Sequence, residues 1–182
     1  MIRKILISND PILRKKSKTV QKIDKKIQQL IKDMKETLVV QDDPEGIGLA
    51  APQVGKNLQI FIMKPDKEIT TIINPEIIFT AKNNTPKKTA PKKDASQSMR
   101  NIMEGCLSLP HFYGNVKRSP SIKIKYKDEL GNQQKATFTG LKAQIVQHEI
   151  DHLNGRLFVD ELIAQKRPLF EYKNGEWEEV EL

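Results

Sequence analysis

The sequence predicts a mixed α and β fold, on three observations. Apolar residues fall at Ile23, Ile27, Leu30, Ile31, Met34 and Leu38. That spacing draws one stripe along an amphipathic helix. A second helical pattern, Leu141, Ile145, Val146, Ile150 and Leu153, lies far downstream. Between the two run short Ile- and Phe-rich stretches of strand composition. A chain of 182 residues suits one domain with a substantial core, so residues 1–182 read as a single catalytic-size unit.

In chain order, Ile2–Ile7 reads as a short strand broken by Asp10-Pro11. Asp42, Asp43, Pro44 and Gly46 stop the first helix. Gly46 to Gly55 is a loop of small residues. Leu58–Met63, Ile69–Ile73 and Ile77–Phe79 read as strands, with Asn74-Pro75 as a turn between the last two. Glu104–Pro110 is a compact turn. Val116, Ser121–Tyr126 and Gln133–Thr139 follow as strands, the latter two alternating and joined through Asp128–Gly131 as a hairpin. Asn154-Gly155 ends the second helix. Leu157–Val159 reads as a short extended piece, and the tail after Pro168 carries no functional signal.

Apolar residues make up 37% and charged residues 30%, which fits an ordinary globular protein and excludes a disordered or membrane-embedded one. The apolar run Ile5–Ile7 is too short for a signal peptide, so a cytoplasmic protein is expected, or an organellar one once a presequence is removed. The formal charge is +8, and much of it sits in one Lys-rich stretch, 81–99, with Lys82, Lys87, Lys88, Lys92 and Lys93 against Asp94. This stretch lacks apolar periodicity and reads as a disordered surface insertion. Contact with RNA or a ribosome is its functional alternative. The single cysteine, Cys106, excludes an intrachain disulfide.

The chemistry concentrates in His148-Glu149-Ile150-Asp151-His152, inside the second predicted helix. Residues four apart share a helical face, so both imidazoles reach one ion, and Glu149 stands beside the first of them. A catalytic ion of this type takes three protein ligands and keeps one position open. Cys106, His111, Asp and Glu residues are candidates for the third ligand. Gly105 permits close backbone approach next to Cys106, and a thiolate would be held deprotonated by the ion's charge.

Three segments together resemble the peptide deformylase signature: Gly46-Ile-Gly-Leu-Ala-Ala-Pro-Gln53, Glu104-Gly-Cys-Leu-Ser108 and His148-Glu-Ile-Asp-His152. The likeness extends over roughly residues 2–160, through Asp10–Arg14, Val116-Lys-Arg118, Gln147, Leu153 and Gly155. It implies an α+β fold in which antiparallel sheets surround a central metal-binding helix, with the amphipathic helix packed outside. It implies that Cys106, His148 and His152 bind the metal, that Glu149 is the acid/base, and that Gln53 and the Leu107 N–H face the developing oxyanion. Each donor of that kind is worth about 3 kcal/mol. A peptide would add as a strand beside Ile47 and Gly48. Leu141 and Ile145 are reasonable lining for a methionine pocket. Asp151 would pair with Arg118, and Glu104 would orient a ligand or Gln53 from behind. His111 reads as a loop residue.

The resemblance therefore implies hydrolysis of the N-formyl group from formyl-methionyl nascent peptides. One divalent ion is implied, Fe(2+) in the cell, with Zn, Ni or Co compatible by ligand type. It implies transient ribosome association, with no membrane and no specific nucleic acid sequence as partner. The Lys-rich stretch looks inserted relative to compact family members. Phe170–Leu182 does not read as the long amphipathic C-terminal helix of some members. A metallopeptidase is the rival enzyme, but the Cys106 motif argues against it. An RNA-binding protein would need none of Glu149, Gln53 or Cys106.

Overall fold

The structure is a computed structural model and describes residues 1–42, 45–81 and 103–181. The Lys-rich stretch after Ala81, and Asp43 and Pro44 at the end of the first helix, lie outside the described residues.

Helix α1, Lys25–Val39, begins where the Asp24 carboxylate accepts from the Lys26 and Ile27 amides. Its predicted stripe is its packed face: Leu30, Ile31, Met34 and Leu38 are buried, with Ile23 and Ile27 partly buried against the same core. Helix α2, Gly140–Leu153, differs in kind. Ala143, Ile145, Val146, His148, Glu149, Ile150, His152 and Leu153 are all buried. A helix covered on most sides shows little amphipathicity, and its polar residues need internal partners.

Two antiparallel sheets enclose α2. The first has the order β1-β2-β3-β6-β7, from Gly48–Ala50, Ile60–Met63, Thr70–Thr80, Ser121–Lys127 and Gln133–Thr139. The second has the order β4-β5-β8-β9, from Glu104–Cys106, Leu109–Gly114, Leu169–Lys173 and Glu176–Val180. Phe61, Ile72, Ile122 and Ile124 of the first sheet pack with Ile145, Val146 and Ile150 of α2. Cys106 of the second sheet packs with Val116, Leu169 and Phe158 and Leu162 of α3, Phe158–Gln165. The α+β architecture is the predicted one. No helix among the described residues is long and apolar enough to cross a membrane.

Five local expectations need correction. Ile2–Ile7 belongs to no strand, and its amides bond to two separate segments: Arg3 N–H to Thr37 Oγ1 and Leu6 N–H to Gln53 O, each at 2.8 Å. Val116 is a buried connector between β5 and β6, not a strand residue. Leu157–Val159 leads into α3, whose start is capped by Asp160 accepting from Leu157 N–H at 2.8 Å. The tail forms the β8–β9 hairpin. Asn74-Pro75 is not a turn but a bulge within one continuous β3. Asn74 takes a left-handed conformation, φ 51°. Its side chain accepts from Val20 N–H and donates to Val20 O, both at 2.8 Å.

Asn74 thus fixes the approach to α1 through two hydrogen bonds and a conformation that asparagine tolerates. Asn74→Ala should lower unfolding stability by about 2 kcal/mol, read as a shift in the urea midpoint. Asn74→Asp, which keeps only the acceptor, should fall between the two.

Candidate metal centre and pocket

Three ligand-bearing side chains meet between the sheets. Cys106 comes from β4, and His148 and His152 come from successive turns of α2. Their ligand atoms lie within 4.8 Å of one another, and all three residues are buried. Cys106 Sγ is 3.2 Å from His152 Nε2. His148 Nδ1 is 3.0 Å from Glu104 Oε2, so its other ring nitrogen is left for the centre.

The charges around this centre are arranged in a fixed chain. Arg118 donates from Nε to Glu104 Oε1 at 2.7 Å, and a second guanidinium nitrogen donates to Glu104 Oε2 at 2.9 Å. Its remaining nitrogen donates to Asp151 Oδ2 at 2.6 Å. Burial pushes the Glu104 carboxyl up, but the hydrogen bonds from Arg118 and His148 outweigh it and hold the group at about 2. Burial lowers His148, yet Cys106 and Glu104 together raise it well above its ordinary value. Burial, with His148 nearby, keeps His152 well below its own. The cluster of thiol and carboxylate therefore favours one positive charge at its middle. A thiolate with two imidazoles, closed on one side by an oriented carboxylate, fits a divalent transition-metal ion by donor type.

Glu149 points elsewhere. One residue further along the helix, it is turned roughly 100° from His148, towards β1. A Cβ on Gly48 would overlap Glu149 Oε1, so only glycine leaves room for this carboxylate. Its other oxygen is buried with no hydrogen-bond partner among the described residues. Burial raises the carboxyl to about 7.

Gln53 sits in a 3-10 turn, Ala51–Val54, and is locked at both ends of its amide. Oε1 accepts from Ala50 N–H at 2.8 Å, and Nε2 donates to Ser108 Oγ at 3.1 Å. The same Nε2 lies 3.5 Å from Cys106 Sγ, so its second hydrogen faces the centre.

One pocket takes in Ile47, Gly48, Gln53, Glu104, Cys106, Leu107, Leu141, Ile145, His148 and Glu149. Arg118 stands behind its wall through its bonds to Glu104, Asp151 stands behind it through Arg118, and His152 completes the ligand cluster. His111 is a residue of β5, not of a loop. It is exposed, with φ 69°, and does not line the pocket. Sequence reasoning missed four lining residues: Glu45, Met103, Tyr113 and Gln144. Gln144 could have been found, since it lies four before His148 on α2. Tyr113 reaches the pocket only through the pairing of β4 with β5. Ser108, which holds Gln53, was also missed.

Comparison with known proteins points to one family. The family model described as polypeptide deformylase matches residues 2–168. A peptide deformylase of Pseudothermotoga lettingae is 40% identical over 167 residues, spanning 92% of this chain and 86% of its own length. One from Alkaliphilus metalliredigens is 41% identical, spanning 90% of this chain and 99% of its own. The crystal structure of peptide deformylase from Thermotoga maritima superposes with a TM-score of 0.74 at 35% identity, covering 88% of this chain and 97% of that one. A peptide deformylase from Synechococcus elongatus in complex with actinonin gives 0.73 at 39% identity, covering 86% and 76%.

Removing Arg118 should leave Glu104 and Asp151 buried without their counter-charge. Arg118→Leu is expected to cost about 3–5 kcal/mol at neutral pH. Glu104 has its folded value depressed to about 2 from an ordinary 4.5. Its contribution is therefore present above 4.5 and lost as pH falls through 2. The stability gap between wild type and variant, from denaturant titrations at several pH values, should narrow across that window.

Proposed function

Because the chain belongs to the polypeptide deformylase family, it removes the N-formyl group from nascent polypeptides, and we propose that the Cys106, His148, Glu149 and His152 cluster carries out this hydrolysis. The observation that carries the reading is the convergence of those three ligands beside a buried carboxylate in one pocket. The reading treats the chain as one catalytic domain, with formyl-methionine as the first residue of its substrate and formate as the product.

Cys106, His148 and His152 would hold one divalent ion, which when bound supplies Lewis acidity towards the formyl oxygen and towards a water. The ligand types suit Fe(II), Zn, Ni and Co, and the family resemblance favours iron. Glu149 takes the proton of the attacking water and delivers it to the amine as the C–N bond breaks. Its burial supports this role, because a carboxyl raised towards neutrality both accepts and returns a proton. Negative charge developing on the formyl oxygen is met by Gln53 NH2 and the Leu107 N–H. Ala50 and Ser108 hold the Gln53 amide in place beside the centre, with its second Nε2 hydrogen turned towards Cys106. The peptide pairs alongside Ile47 and Gly48, and Leu141 and Ile145 receive the methionine side chain. Arg118 and Asp151 fix Glu104, and Glu104 fixes the His148 ring. Its place of work would be the cytoplasm, or an organelle that makes formylated chains, in transient contact with the ribosome.

Formate release from formyl-Met-Ala-Ser by anaerobically purified protein tests the reading. Glu149→Gln should lose about 10²–10⁴-fold in kcat while keeping one equivalent of metal by elemental analysis. No release from wild type loaded with Fe(II), Ni or Co would overturn it. Gly48→Ala should reproduce much of the Glu149→Gln loss, because the added methyl group displaces the carboxylate, with little change in metal content. Chelation should abolish activity, and added Co or Ni should restore it.

A further inference from the structure

The β8–β9 hairpin, Leu169–Lys173 and Glu176–Val180, begins just beyond residue 168, where the family match ends. It nevertheless touches the pocket wall. In the second sheet, Gly105 pairs with Tyr113, Tyr113 with Phe170, and Phe170 with Glu179. Cross-strand partners share a face, and residues two further along share it too. Tyr172 and Trp177, themselves a pair, therefore lie on the same face as Tyr113. The core side of this sheet is the opposite one, where Gly114 and Leu169 meet Leu162 and Phe158.

The rings on the outer face are in contact. Trp177 meets Tyr113 edge to face, with centroids 5.2 Å apart and planes at 78°. Tyr172 backs Trp177 at 4.8 Å. The Tyr113 ring also sits over Gly105, where an added Cβ would come within 2.7 Å of its edge. Gly105 and Tyr113 both line the pocket, and Gly105 is the residue before Cys106. Trp177 does not line the pocket and is 51% exposed, and Tyr172 is 43% exposed.

We propose that Trp177 is a positioning residue for the peptide pocket: it clamps the Tyr113 ring against Gly105, so that Tyr113 forms a fixed wall for the residues that follow the formylated methionine. The chemistry on α2 does not involve it. Loss of this contact loosens the Tyr113 ring over Gly105, which weakens the grip on the peptide without moving Glu149 or the ligand cluster. This rests on the deformylase reading of the pocket.

Trp177 is the only tryptophan in the chain, so its emission reports on the wall directly. Metal-loaded Glu149→Gln protein titrated with formyl-Met-Ala-Ser should show a saturable change in tryptophan emission, and Tyr113→Ala in the same background should lose that change. In steady-state assays Trp177→Ala should raise KM roughly 3- to 10-fold, the scale of one aromatic pair, with kcat within about twofold. Trp177→Phe should restore KM. Tyr113→Ala should raise KM alike, and the double variant should add nothing further. Emission unmoved at saturation, unchanged KM in Trp177→Ala, or additive effects in the double variant would each overturn the role of Trp177. Active wild type with any of those results removes only this inference, whereas wild type that releases no formate removes the deformylase reading itself.

Discussion

The guanidinium of Arg118 is the contact on which the site depends. It joins Glu104 of the second sheet to Asp151 of the helix that the first sheet packs against. The three residues that could hold a metal are divided the same way, Cys106 on one side and the two histidines on the other. A shift of half an ångström between the layers would spoil their convergence. Buried ion pairs add little net stability, because desolvation offsets the attraction. What a planar fork with three satisfied bonds does provide is orientation. Glu104 passes that orientation on to the His148 ring, so the ion pair sets a ligand as well as a layer spacing.

Helix α2 explains how so much polar chemistry sits in a core. His148 and His152 are one turn apart and look the same way, while Glu149 looks towards β1. The faces left over carry Ala143, Ile145, Val146, Ile150 and Leu153 into apolar packing. Each polar residue has its own neighbour: Glu104 for His148, Cys106 for His152, and the space over Gly48 for Glu149. Gly48 leaves the room that Glu149 occupies, which links the first motif to the third across the whole sequence.

What could be read from the sequence was local. The α1 stripe, the α2 pattern, the 128–131 hairpin and the histidine spacing all depend on residues within one or two turns of each other. The resemblance supplied the ligand set and the sheet arrangement. The misses were matters of tertiary partnership. Ile2–Ile7 has strand composition, but its amides serve Thr37 and Gln53 instead of a ladder. Asn74-Pro75 has turn composition, but Val20 turns it into a bulge within a strand. Leu157–Val159 looked extended because the helix it starts is only eight residues long. Tyr113 could not be placed near the pocket without the register of β4 on β5, and the acidic tail hid a hairpin whose rings share its face of the sheet.

These partnerships divide the pocket by task. In the proposed mechanism the bond-breaking groups stand on α2, on β4 and the residue after it, and on the turn carrying Gln53, where Cys106, Gln53, His148, Glu149 and His152 are all buried. The surfaces proposed to hold the peptide are more open: the edge of β1 with Ile47 36% exposed, and the Tyr113 wall backed by an exposed hairpin. A rigid interior suits groups that must meet a transition state within tenths of an ångström. An open rim suits substrates that share a first residue and differ afterwards, as nascent chains do. The hairpin reaches the rim without touching the core behind Cys106, apart from Leu169. Sequence changes in this tail can therefore alter how tightly peptides are held while the ligands, Glu149 and Gln53 keep their places.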